Sequence, residues 1–152
     1  MKKNWRWLLS ITMVTTLIVF SGCATTGHKA VATGPMTAKQ LVMAAKAVVP
    51  QVTPAQAKAN IDKGTYKVIV DVREPKEFRK GHIPGAINIP RGLLEFKVTA
   101  KIPDKATPIL VYCKTGGRGA LSGQALMKMG YKNVTNMDGG WMAWEKAGYP
   151  VE

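Results

Sequence analysis

The stretch ILVYCKTGGRGA, Ile109 to Ala120, changes character at its middle. Ile109 to Tyr112 is a short apolar run of the kind that forms a strand covered on both faces. Cys113 then opens a segment with three glycines, Gly116, Gly117 and Gly119, and two cations, Lys114 and Arg118. A helical pattern follows from Arg118 to Met129. A structural thiol would sit among apolar neighbours, so this one reads as presented at a strand end.

The same alternation extends outward from this unit. Thr53 and Pro54 predict a helix start, with proline at a tolerated first-turn position, running to about Lys63 and stopped by Gly64. Strands are expected over Tyr66 to Val72, Ala86 to Ile89 and Lys132 to Asn136, and helices over Glu74 to Lys80, Gly92 to Val98 and Gly140 to Ala147. Short apolar strands separated by helices predict an α/β fold, a parallel sheet covered by helices on both faces with right-handed crossovers. Chemistry in such sheets lies beyond the carboxyl ends of the strands. Cys113 and Asp71 are both at such ends.

The first residues read differently. Lys2, Lys3 and Arg6 precede an apolar run of 14 residues, Trp7 to Phe20, and then Ser21, Gly22 and Cys23. That is the order of a secretory signal. The run is shorter than the roughly 17 to 25 residues a membrane-spanning helix needs. Phe20 to Cys23 resembles a bacterial lipobox, with phenylalanine in place of the usual leucine, which implies that Cys23 is lipidated and becomes the new N-terminus. The expected organisation is a lipoprotein signal peptide over 1–22, a tether with a short helix over 23–50, and one folded domain over 51–152. Residues 24–35 are rich in small residues and lack periodicity, whereas Leu41, Val42, Ala45 and Val49 recur at helical spacing behind a Thr37 cap. Whether residues 37–49 pack on the domain is left open.

The 152 residues carry 22 Lys and Arg against nine Asp and Glu. Removing residues 1–22 takes away three cations and no acid, leaving a formal charge of +10. The basic residues are scattered and no nucleic-acid-binding motif accompanies them, which argues against nucleic acid as a partner. The anionic lipid surface beneath the anchor and small anionic substrates fit better. With Cys23 lipidated, Cys113 is the only free thiol, and it has no disulfide partner in an oxidising envelope.

A cysteine attacks as its thiolate. The loop offers three ways to favour that anion: the cations Lys114 and Arg118, the start of a helix behind Gly117, and glycines that let backbone amides converge. The same donors would suit a sulfur oxyanion or a phosphate. Four residues separate Cys113 from Arg118, a six-residue ring, and this spacing resembles the rhodanese sulfurtransferases. The related dual-specificity and tyrosine phosphatases have five intervening residues.

Two further stretches carry the same resemblance. DVREPKEFRKGHIPGAINIP, Asp71 to Pro90, and GYKNVTNMDGGWMAWEKAGYPV, Gly130 to Val151, look like the first and last signatures of the family. The resemblance implies a single rhodanese-like domain with a five-stranded parallel sheet; a monomer is expected. It makes Cys113 the sulfur carrier, with substrate bound by Lys114, Thr115, Gly116, Gly117, Arg118 and Gly119. Gly119 departs from the serine frequent at that position. The implied reaction passes sulfur from a small anionic donor such as thiosulfate to cyanide or a thiol through a Cys113 persulfide, with no metal and no cofactor. No general base is needed, in keeping with the absence of a histidine near the loop. His82, in GHIPGA, is read as a structural turn residue. Asp71, Arg73 and Glu77 are read as a buried ion-pair network beneath the site, and Trp141 and Trp144 as core and rim residues of the last helix.

Three other functions share the loop. A persulfide relay or binding module would accept sulfur from a partner without turning over small donors. Phosphatase or arsenate reductase chemistry is disfavoured by ring size. Reversible oxidation of Cys113 is a further use of a reactive thiol. The expected location is the cell envelope, lipid-anchored and facing the periplasm or the exterior.

Overall fold

The computed structural model describes residues 34–152. The signal peptide expected over 1–22, the lipidation expected at Cys23 and the first part of the expected tether lie outside the described residues. The compact unit runs from Pro35 to Glu152.

Two capping boxes open it. Helix α1 (Ala38–Val48) starts at Thr37, whose Oγ1 accepts the Gln40 amide at 3.3 Å while Gln40 Oε1 accepts the Thr37 amide at 2.9 Å. After strand β1 (Gln51–Val52), helix α2 (Pro54–Asp62) repeats the device with Thr53 and Gln56. Each such cap contributes about 1 kcal/mol by satisfying amides that lack intrahelical acceptors. Gly64 follows α2 with φ of 67°.

The remaining elements are β2 (Val68–Asp71), α3 (Pro75–Phe78), β3 (Ile87–Asn88), α4 (Leu94–Lys101), β4 (Ile109–Tyr112), α5 (Gly117–Lys128), β5 (Val134–Met137) and α6 (Gly140–Lys146). Five strands form one parallel sheet in the order β1-β5-β4-β2-β3. The central strand, β4, is buried at all four positions.

Strand parity divides the core in two. Ile109 and Val111 join Val70, Val72, Leu94, Val98 and Leu126 on one face, under α4 and α5. Leu110 and Tyr112 join Ala57, Ile83, Trp141 and Trp144 on the other, under α2 and α6. Alternate side chains point to opposite faces, so the residue after Tyr112 belongs with Ile109 and Val111. Cys113 therefore enters the α5-side core.

Several expected elements shift. The helix expected over 74–80 is a single turn, and the one expected over 92–98 begins as a 3-10 turn at Arg91–Leu93, where Leu93 bonds back to the Pro90 carbonyl. Strand β1 spans two residues, too few to show a period. The segment 37–49 packs on the domain: Ala45 and Val49 are buried, and α1 lies on α5 where Gly123 has no side chain. A Cβ on Gly123 would stand 2.7 Å from Val49 Cγ1. Among the described residues no helix is long and apolar enough to cross a membrane.

Candidate functional site

Cys113 leaves β4 and the chain turns through Lys114, Thr115 and Gly116 into α5. Gly116 caps the helix in the left-handed region, with φ of 92°. A Cβ there would stand 2.9 Å from Asp138 Oδ1 and 3.0 Å from the Gly139 nitrogen, so glycine is required twice over, by conformation and by space. The Gly116 amide donates to Cys113 Sγ at 3.2 Å.

The loop carbonyls are drawn outward. The Trp141 amide donates to the Cys113 carbonyl at 2.8 Å and the Met142 amide to the Lys114 carbonyl at 3.0 Å. Asn136 Nδ2 donates to the Gly116 carbonyl at 3.2 Å, and Ala120 N donates to it at 2.9 Å. With the carbonyls of Cys113, Lys114 and Gly116 occupied, the loop is left with the amides at the start of α5, that of Gly116 on the sulfur. Those N–H groups have no intrahelical acceptors and carry a fixed partial positive charge. The arrangement suits a bound anion.

This geometry depends on how closely α6 approaches. Gly140 has φ of 58°, and a Cβ on it would stand 2.3 Å from the Cys113 carbonyl oxygen. Gly119 has the same close fit on the other side, 2.2 Å between a Cβ position and Asn136 Oδ1. That contact explains glycine where the family often has serine: the Asn136 side chain fills the space. Asn136 is fully buried, and its Oδ1 has no hydrogen-bond partner among the described residues.

The thiol is less open than its sequence neighbours suggest. Cys113 is 0 % exposed, whereas Lys114 and Thr115 are exposed and Gly117 and Arg118 half-buried. Parity turns the side chain into the core, and the α6 amides hold the loop down over it. An open cleft of about 390 Å³ lies alongside, lined by Glu77, Lys80, Lys114, Trp141, Met142 and Glu145.

The ion pairs divide differently from the expected network. Asp71 and Arg73 form a self-contained buried pair, with Arg73 Nη2 donating to Asp71 Oδ2 at 2.6 Å and Arg73 Nε donating to the same oxygen at 2.9 Å. Arg73 Nη2 also donates to the Gly81 carbonyl at 2.7 Å, and the guanidinium lies 4.4 Å from the centre of the Trp141 ring. Burial opposes this charge, but the hydrogen bonds and charge of Asp71 outweigh it and hold the guanidinium above its ordinary value. Burial, and next the Asp71 charge, push the Tyr112 phenol upward, and its oxygen accepts the Ile83 amide at 3.2 Å.

Glu77 is not part of that pair. Arg73 meets one carboxylate, a carbonyl and an indole face, and Glu77 is not among its partners. Glu77 Oε2 accepts the Glu74 amide at 3.2 Å and faces Arg118 Nη2 at 3.7 Å. His82 stacks on Phe78 at 3.7 Å, with Nδ1 3.0 Å from the Phe78 carbonyl, and exchanges two backbone hydrogen bonds with Glu152. These contacts fix the turn, and none of them involves the Cys113 loop.

Asn136, Asp138, Gly140 and Lys46 were not singled out from sequence. Asn136 gave little signal, because it closes a segment, Lys132 to Asn136, in which most side chains are polar. Lys46 had none, because only tertiary packing brings its helix to the loop.

The family model described as rhodanese-like domain matches residues 53–147. The sulfurtransferase of Allochromatium vinosum is 36% identical over 84 residues, covering 55% of this chain and 77% of that protein. A Mycobacterium tuberculosis protein described as probable adenylyltransferase/sulfurtransferase MoeZ is 37% identical over 100 residues, 65% of this chain, which spans only 25% of that protein's length. A solved structure from Rhodopseudomonas palustris, a protein of unknown function described as a possible tyrosine phosphatase, superposes with a TM-score of 0.70 at 32% identity. The match covers 78% of this chain and 99% of that one.

Proposed function

The chain belongs to the rhodanese-like domain family, and from that premise we propose that it is a sulfurtransferase using a Cys113 persulfide. The observation that carries the reading is the Gly116 amide on Cys113 Sγ, in a loop whose Cys113 and Lys114 carbonyls are taken by amides of α6. Thiolate Cys113 attacks the outer sulfur of thiosulfate. The S–S bond of the donor breaks, sulfite leaves with the electron pair, and Cys113 carries an anionic persulfide within the amides of the loop. Cyanide or a thiolate then takes the outer sulfur and restores the Cys113 thiolate. No proton need be moved in the first step. The donor enters past Lys114 and Thr115, the exposed members of the loop, and Arg118 binds its sulfonate by exchanging Glu77 for the oxyanion.

Incubation with thiosulfate followed by mass measurement tests this. One sulfur atom on Cys113, removable by cyanide, is expected. No gain of sulfur overturns the reading. Loading without steady-state thiocyanate production above a Cys113→Ser control would favour the relay module instead.

Phosphatase chemistry fits less well. The ring is one residue short, and Asp138 beside the loop is held below the ordinary carboxylate range, by its hydrogen bond to Lys46 first and despite partial desolvation, so it is ionised at neutral pH and has no proton to give a leaving group. Rapid hydrolysis of an aryl phosphate would reverse that judgement.

The order of charge, apolar run and small residues ahead of Cys23 supports a lipid-anchored protein on the outer side of a membrane. Replacing Cys23 with alanine is then expected to abolish incorporation of labelled fatty acid.

A further inference from the structure

Helix α1 lies ahead of the residues the family model matches, which begin at 53, yet it reaches the Cys113 loop. It packs on α5 through buried Ala45 and Val49, and through Val42, whose γ-carbons stand 3.5 Å from the Cβ position of Gly117. From the same helix, Lys46 Nζ donates to Asp138 Oδ1. That oxygen also accepts the Gly139 amide at 3.0 Å and would stand 2.9 Å from a Cβ on Gly116. Gly116 is the residue whose amide donates to Cys113 Sγ. A carboxylate thus rests against the backbone of the group that holds the sulfur.

A negative charge at that place works against any anion in the loop. The loop's own cations, Lys114 and Arg118, act from its other members, and Arg118 is already shared with Glu77. Lys46 is the cation in contact with Asp138. Both side chains are partly shielded, at 33% and 49% exposure.

We propose that Lys46 is a positioning residue for the Cys113 loop: its ammonium neutralises Asp138 and fixes that carboxylate against Gly116, so that the loop can hold a thiolate or persulfide. The inference rests on the anionic loop of the proposed function, and on neither the identity of the donor nor turnover. Its electrostatic effect runs from Lys46 through Asp138 to the loop.

The test is a titration of thiolate ultraviolet absorbance on the full chain, with Cys113→Ser as the baseline that removes the signals of Cys23 and the tyrosines. Lys46→Met is expected to move the Cys113 midpoint upward and to cut the thiolate fraction below that midpoint by about 1.5- to 5-fold, the range for a partly exposed ion pair. Lys46→Arg should keep the wild-type midpoint, and adding Asp138→Asn to Lys46→Met should restore it. An unchanged midpoint in Lys46→Met, or a shift that Asp138→Asn does not reverse, overturns the proposal. Should Lys46→Met fail to fold, Asp138→Asn alone decides: a lower or equal midpoint with Lys46→Arg at the wild-type value supports it, and a higher midpoint refutes it. Because the readout is ionisation, a protein with no sulfurtransferase activity can still pass or fail.

Discussion

Helices α5 and α6 begin in the same way and serve opposite ends of the peptide group. Each follows a glycine in the left-handed region, Gly116 before α5 and Gly139 before α6, and each points its first amides at the Cys113 loop. The start of α5 lies on the sulfur side, where the Gly116 amide meets Sγ. The start of α6 lies behind the loop, where the amides of Trp141 and Met142 take the carbonyls of Cys113 and Lys114. One helix turns a donor to the sulfur, and the other occupies carbonyls beside it. The difference shows that an anion site needs its oxygens occupied as much as its amides free.

The comparison breaks most sharply at Gly140. Gly140→Ala puts a methyl 2.3 Å from the Cys113 oxygen and 2.8 Å from the Thr115 nitrogen, both backbone atoms, at a φ of 58°. Stability should fall by about 2–4 kcal/mol, seen as a lower urea midpoint, with sulfur loading lost even in the fraction that remains folded. If the midpoint barely moves, α6 is not seated as described.

Gly119 sharpens the α5 half. Gly119→Ala meets a side-chain atom, Asn136 Oδ1, at 2.2 Å, so Asn136 can give where backbone cannot. A loss of about 1–3 kcal/mol is expected. Adding Asn136→Ala should recover part of it, a coupling that a double-mutant cycle measures. Additive losses would show that the two residues do not compete for space.

A smaller effect lies at the mouth. Glu77→Gln retains the side-chain oxygen that caps α3 and removes the charge facing Arg118. The KM for thiosulfate should fall by about two- to fivefold with kcat unchanged, while thermal stability stays within about 0.5 kcal/mol. An unchanged KM would mean that Arg118 does not meet the donor.

The smallest effect is acid stability. Asp138 titrates below its ordinary range because of Lys46, so the pair stabilises the fold above the unfolded value and that contribution is lost as pH falls through the folded one. In Asp138→Asn the acid limb of the stability curve should flatten by under about 1 kcal/mol, given the half-exposed carboxylate. A steeper acid limb in the variant would contradict the direction.

Local pattern alone was enough for the sheet, the helix starts at Thr37 and Thr53, and the loop from Cys113 to Gly119, because strand period, capping and glycine placement are written within a few residues of one another. The family signatures extended that reading to a fifth strand. Tertiary structure decided what needs two distant segments at one point. It buried the thiol through strand parity and the seating of α6, moved Glu77 from Arg73 to Arg118, set Asn136 under the loop, and brought Lys46 to Asp138, 92 positions away. Periodicity reports which face a residue takes, but the partner it meets on that face depends on how the helices settle on the sheet.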